Sequence, residues 1–223
     1  MHQQTNKKFF IYLFLFFLLG TINNKNLSDL EFIKIKEIKI SGLKDEEITK
    51  LAKNIGIIKL KSLFFLNRFE LDQIMNKNNL IEKYSIFKKY PNTLEIKIDK
   101  TNFIANVYID KNFFYLGSNG KLINTFKKKI KVPSIFGNFE INKFFELKSI
   151  IDKSNLKYEE IDKLFFFKSG RWDIQTKSGV LIKLPVNKQK ESLDISDKFL
   201  NNSDFKNIKI IDIRQINQVI LSE

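Results

Sequence analysis

The feature that most constrains this chain is an uncharged apolar run near its start. After Lys7 and Lys8 come Phe9-Phe10-Ile11-Tyr12-Leu13-Phe14-Leu15-Phe16-Phe17-Leu18-Leu19-Gly20-Thr21-Ile22. Fourteen residues at 1.5 Å each cover about 21 Å, short of the ~30 Å hydrocarbon core, and signal-peptide apolar regions have the same length. Phenylalanine bulk continues almost to the end of the run, and no A-x-A-like pair of small residues follows before Asn23-Asn24-Lys25. The run is therefore read as an uncleaved anchor, extended through Asn26 and Leu27, with a cleaved signal as the alternative. Either way the preceding lysines place residues 1–8 in the cytoplasm as a short tail and everything after the membrane segment outside. The expected layout is a single-pass protein of the inner (plasma) membrane, with a transmembrane helix over residues 9–27 and the bulk of the chain periplasmic.

Composition narrows what the remainder can do. The chain has 223 residues, 43% of them hydrophobic, and its 29% of charged residues are interspersed with apolar ones, so a folded region with a real core is expected. A net charge of +14 invites a nucleic-acid reading, but of the 39 basic residues only Arg68, Arg171 and Arg214 are arginine. Phosphate and base-edge readers favour the planar guanidinium, so no nucleic-acid partner is expected. The absence of cysteine excludes disulfides, thiolate metal sites, a cysteine nucleophile and a lipid-modified cysteine anchor. His2 is the only histidine and precedes the apolar run, which removes histidine triads and nearly all zinc sites. No carboxylate pair carries an acid–base signature. The chain is expected to be no enzyme, with no catalytic residues, no metal, no cofactor and no small-molecule substrate.

From Phe32 the pattern Ile33, Ile35, Ile38, Ile40 reads as a strand, ended by Ser41-Gly42. Asp45, Glu46 and Glu47 then open a helix whose stripe is Ile48, Leu51, Ala52 and Ile55, ending at Gly56. A second helix begins at an Asn67/Glu70 capping box and buries Leu71, Ile74 and Met75. Strands Ile81 to Lys88 and Leu94 to Ile98 follow, joined by Tyr90-Pro91-Asn92-Thr93. Beyond Phe103 the reading is mostly strand: Phe103 to Asp110, Phe113 to Leu116, Lys121 to Thr125, Ile161 to Lys168, Trp172 to Thr176, Val180 to Leu184, Ile208 to Arg214 and Ile216 to Leu221. Two helices interrupt it, Ile141 to Ser154 and Lys188 to Leu200.

This order and several local strings resemble the bacterial FtsQ/DivIB cell-division family. The most specific string is Lys88-Lys89-Tyr90-Pro91-Asn92-Thr93-Leu94-Glu95-Ile96, similar to that family's basic-aromatic-Pro-x-Thr-Leu hairpin. Ile38-Lys39-Ile40-Ser41-Gly42, Lys131-Val132-Pro133-Ser134-Ile135-Phe136-Gly137, Gly170-Arg171-Trp172-Asp173-Ile174 and Ile211-Asp212-Ile213-Arg214 follow in matching order. Asn79 and Asn102 stand where the family usually has proline, and Tyr84 where it commonly has a small residue. The resemblance implies an α+β fold: an N-terminal transmembrane helix, a POTRA domain (βααββ) over residues 32–100, and a mostly antiparallel β domain with flanking helices over 101–223.

It also implies where partners bind. A final strand often lies at a sheet edge whose N–H and C=O groups another strand can complete. In the family this end binds the small bitopic division protein FtsB and, through it, FtsL. The expected partner-binding edge is Arg214, Gln215, Ile216, Asn217, Gln218, Val219 and Ile220, with Gln215, Asn217 and Val219 on one face; an ordinary interior strand is the alternative. Lys88, Lys89 and Tyr90 form a second expected contact, toward a periplasmic partner or lipid head groups, although turn chemistry alone accounts for Pro91. Trp172 reads as core, and Arg171–Asp173 and Asp212–Arg214 as structural pairs. The implied function is a non-catalytic division scaffold at the septum that coordinates septal wall synthesis. The competing readings are a POTRA-type peptide-capturing chaperone or secretion component, and a secreted lysine-rich enzyme or polyanion binder.

Overall fold

The computed structural model describes residues 4–22, 34–64, 66–109, 112–124, 130–205, 207–215 and 218–223. Helix α1 spans Gln4–Ile22, and its large side chains from Phe9 to Leu19 are all exposed. Among the described residues no helix is long and apolar enough to cross a membrane. The first five residues of α1 are polar, and the apolar remainder rises only about 21 Å. Residues 23–27 of the expected span lie outside the described residues. Contacts divide the chain into two compact units, Met1–Thr101 and Asn102–Glu223.

In the first unit, β1 (Glu37–Ser41), α2 (Asp45–Ile55), α3 (Arg68–Asn76), β2 (Ile81–Lys89) and β3 (Thr93–Lys100) follow in chain order. The sheet order is β1-β3-β2, with β1 parallel and β2 antiparallel to the central strand. Alternation in β3 buries Leu94, Ile96 and Ile98 against Leu51 and Ile55 of α2 and Leu71 and Met75 of α3. The first strand is shorter than its pattern predicts. Ile35 is buried but sits ahead of β1, its N–H donating to the Lys61 carbonyl at 3.2 Å.

Helix α2 also departs from its expected stripe and end. Ala52 is exposed, and Gly56 keeps helical angles, so the chain continues as a 3₁₀ turn through Leu60 that drops Ile58 into the core. Asn67 caps α3 by accepting from the Phe69 N–H at 2.9 Å, yet Glu70 does not complete the expected box because its carboxylate takes the Lys61 ammonium instead. Side-chain capping by an N3 glutamate appears instead at α2, where Glu47 accepts the Lys44 N–H at 3.1 Å and the Lys100 ammonium at 2.6 Å. Tyr84, unusual for the family pattern, donates its hydroxyl to Asp72 and packs on the core edge.

The second unit is a nine-stranded sheet in the order β12-β11-β10-β9-β8-β7-β4-β5-β6. Its strands are β4 (Phe103–Ile109), β5 (Asn112–Gly117), β6 (Leu122–Ile123), β7 (Ser134–Phe136), β8 (Ile161–Phe166), β9 (Trp172–Thr176), β10 (Leu181–Lys183), β11 (Ile210–Asp212) and β12 (Ile220–Ser222). Five of its eight ladders are antiparallel; β4–β7, β7–β8 and β10–β11 are parallel. Parallel neighbours need crossovers, and α4 (Ile141–Asp152) and α5 (Gln189–Leu200) supply two of them, between β7 and β8 and between β10 and β11. Phe144, Leu147 and Ile151 of α4 and Leu193 of α5 share a core with Val107, Ile135, Leu164, Ile174 and Ile182 of the sheet. Ile195 is exposed; the inward face of α5 carries Ser192 and Ser196, the latter donating to the Ser192 carbonyl at 2.9 Å.

Gly42 ends β1 at φ +96°, where an added Cβ would sit 1.7 Å from the Ile98 carbonyl oxygen. Gly42→Ala is expected to destabilise the first unit by more than about 2 kcal/mol, because backbone clash adds to left-handed strain. Gly179→Ala, at φ +94° with open space around it, carries the strain alone and is expected to cost roughly 1–2 kcal/mol. Urea unfolding of the two variants side by side checks the difference.

Candidate binding interface

The outermost strand on one side of the large sheet is β12, paired antiparallel to β11 through Ile210–Ser222, Ile211–Leu221 and Asp212–Ile220. Pairing covers only these three residues, so the long terminal strand expected from Ile216 is not formed. Gln215, Gln218 and Val219 lie outside any strand, and Ile216 and Asn217 lie outside the described residues. The end of β11 has a local cause. Asp212 Oδ1 accepts the Arg214 N–H at 3.1 Å and its Nε at 2.8 Å, folding the chain over its own side chain as it leaves the strand. Arg214 holds the Asp212 carboxyl below the usual carboxylate range, and the pairing raises the guanidinium in turn. Ile220 is left 45% exposed at the edge.

The register carries this edge into a larger feature. On the sheet face opposite α4 and α5, partner residues align in one row across the strands: Phe113, Tyr108, Phe136, Phe165, Asp173, Lys183, Asp212 and Ile220. The first four rings touch in sequence, Phe113–Tyr108 at 5.4 Å, Tyr108–Phe136 at 6.3 Å and Phe136–Phe165 at 5.4 Å. Tyr108 and Phe136 are exposed. Asp173, Lys183 and Asp212 make the next part of the row ionic. Arg171 Nε meets Asp173 Oδ1 at 3.0 Å, and burial still pushes the Asp173 carboxyl upward against that guanidinium. The row could not be read from the sequence, because its members come from eight separate strands and only the pairing register aligns them. The aromatic residues Tyr108, Phe136 and Phe165 within three strand-like runs are the available signal.

In the first unit, Lys88, Lys89 and Tyr90 stand at the β2–β3 hairpin. Lys88 Nζ reaches the Leu66 carbonyl at 3.5 Å, Lys89 pairs with Glu95, and the Tyr90 ring lies 4.8 Å from Phe64, which pattern reading did not single out. Trp172 is buried against Phe139 and Phe166, a core role. Among the described residues no group of three or more His, Cys, Asp or Glu side chains converges as a metal site would require.

Residues 33–100 match the model of the POTRA domain, FtsQ-type. Over 200 residues, 85% of this chain and 72% of the relative, the sequence is 24% identical to the cell division protein FtsQ of Rickettsia bellii. It is 29% identical over 142 residues to the cell division protein DivIB of Clostridium botulinum, covering 59% of this chain and 50% of that one. The extracytoplasmic domain of DivIB from Geobacillus stearothermophilus aligns with 42% of this chain and 85% of its own at 17% identity, with a TM-score of 0.32. A βααββ unit with this model match, followed by a helix-backed mixed sheet, defines a POTRA-bearing α+β protein. Its sequence resembles the FtsQ and DivIB cell division proteins, and its residues 33–100 are a POTRA domain of the FtsQ type.

Because the Asp212 carboxyl is lower in the folded chain than the ordinary ~3.9 of an unfolded one, its pairing adds stability above about pH 4. That increment is lost as pH falls through the depressed folded value. Urea unfolding of the parent and Asp212→Asn chains is expected to differ at pH 7 and to converge as the solution is acidified. A gap independent of pH would contradict the assignment.

Proposed function

We propose that this chain is a non-catalytic, bitopic scaffold of bacterial cell division. Its Phe9–Ile22 segment anchors it in the inner membrane, its two folded units stand in the periplasm, and it acts at the septum to coordinate septal wall synthesis. The apolar part of α1 is shorter than a mean bilayer core, so anchoring on this reading involves residues beyond Ile22 or local thinning. The relatives named as cell division proteins support the process.

The observation that carries the reading is the position of β12 as the last strand of a nine-stranded sheet, with no described strand beyond it. A small bitopic protein of the FtsB type would add a strand there, bringing an FtsL-type protein with it. Arg214, Asp212 and Ile220 flank the added strand and supply side-chain contacts, while the main chain supplies hydrogen bonds.

Ile220→Asp puts a charge on the exposed side chain at the edge without touching the helix-backed core. It is expected to weaken capture of an FtsB-type partner by at least about tenfold, ~1.4 kcal/mol, while thermal unfolding changes little. Co-purification from membranes reads the first effect and calorimetry the second. Removal of residues 220–223 is expected to abolish capture and midcell localisation; unchanged capture and normal septation would falsify the reading.

A further inference from the structure

Three stretches distant in sequence meet at one end of the POTRA unit: the chain entry at Lys34–Lys36, the connector around Lys61–Leu66, and the β2–β3 turn. Lys34 bridges to Ser62, the Ile35 N–H donates to the Lys61 carbonyl at 3.2 Å, and the Lys36 N–H donates to the Asn92 carbonyl at 2.9 Å. On this end Phe64 and Tyr90 lie ring to ring, each 58% exposed. Two large aromatic side chains so open to water, one bearing a hydroxyl, are the pattern of a binding patch. The carboxylates nearby are already neutralised: Glu70 by Lys61, and Glu95 by Lys89 and Lys97. Lys34, Lys36 and Lys88 have no carboxylate among the described ion pairs, so the aromatic centre has a cationic rim.

We propose that this end is a membrane-contact face, with Phe64 and Tyr90 seated at the interfacial level of a bilayer and Lys34, Lys36 and Lys88 on anionic phospholipid head groups. Chain continuity selects this occupant. The apolar helix α1 ends at Ile22, and the eleven residues from Asn23 to Ile33 span at most about 40 Å fully extended. A body tethered through its Lys34 end turns that end toward the bilayer. Amphipathic tyrosine suits the head-group level, and clustered lysines suit an anionic leaflet. The inference rests on the anchor reading of Phe9–Ile22.

The chain has no cysteine, so single reporters can be placed at will. The full chain is reconstituted into phosphatidylcholine vesicles with or without phosphatidylglycerol, carrying an environment-sensitive fluorophore on Asn92→Cys or, at the opposite end of β2, on Lys77→Cys. Head-group-labelled quencher lipid is expected to quench the label at position 92 and not that at 77, and more strongly when phosphatidylglycerol is present. Adding Phe64→Ser and Tyr90→Ser is expected to abolish the quenching with unchanged circular dichroism. Lys36→Gln or Lys88→Gln is expected to lower the bound-to-free ratio about fivefold each in anionic vesicles. A chain that fails to float with vesicles overturns the anchor and this inference together. A chain that floats with equal quenching at 77 and 92 overturns this inference alone. Quenching that survives the serine pair, with loss of a protein partner instead, reassigns the patch to a protein contact.

Discussion

The main-chain ladder running without a break from β6 to β12 is the constraint on which the second unit depends. Pairing fixes alternation, and alternation sorts side chains. Val107, Ile135, Leu164, Ile174, Ile182 and Ile211 fall under one face, while Tyr108, Phe136, Phe165, Asp173, Lys183 and Asp212 fall on the other. A slip of one residue in any strand would carry its whole hydrophobic set to the wrong side. The apolar cover from α4 and α5 makes such a slip costly, so the helices hold the register of a face they never touch.

The POTRA unit solves the same problem with less material. Its central strand β3 buries Leu94, Ile96 and Ile98, and a close backbone approach lies at Gly42 against the Ile98 carbonyl. Charged residues tie the corners: Glu47 joins the start of α2 to Lys100 of β3, and Lys61 joins the connector to Glu70 of α3. Burial works to raise the Glu47 carboxyl, but Lys100 and the Lys44 N–H outweigh it and hold it below the ordinary range. Such half-exposed pairs contribute modestly; their value here is in fixing where the connector runs.

Much of this was legible from residue order. Period-two runs located the long strands, and period 3.6 with first-turn acids located α2. The Trp172 core role and the Arg171–Asp173 and Asp212–Arg214 pairs match the reading of the sequence, the last by a turn at the end of β11 instead of a shared strand face. What escaped reading has physical causes. Asp212 can either let the strand continue or fold Arg214 back over itself, and composition does not choose between these. Glu70 had two partners within reach, its own cap and Lys61, and only tertiary placement decided for the ammonium. Sheet order and the aromatic row are properties of nonlocal pairing, so no window of sequence contains them. Phe64 escaped for a similar reason, since its partner Tyr90 lies far along the chain.

The brevity of β12 shapes what can be built on it. Three paired residues offer few main-chain groups, too few to template an indefinite stack of chains. An incoming strand finds little purchase from backbone alone and must match Ile220 and the flanking arginine as well. On the proposed function the edge is a latch with a keyed face, made to close on a segment of matching side chains and to leave other extended peptides weakly held.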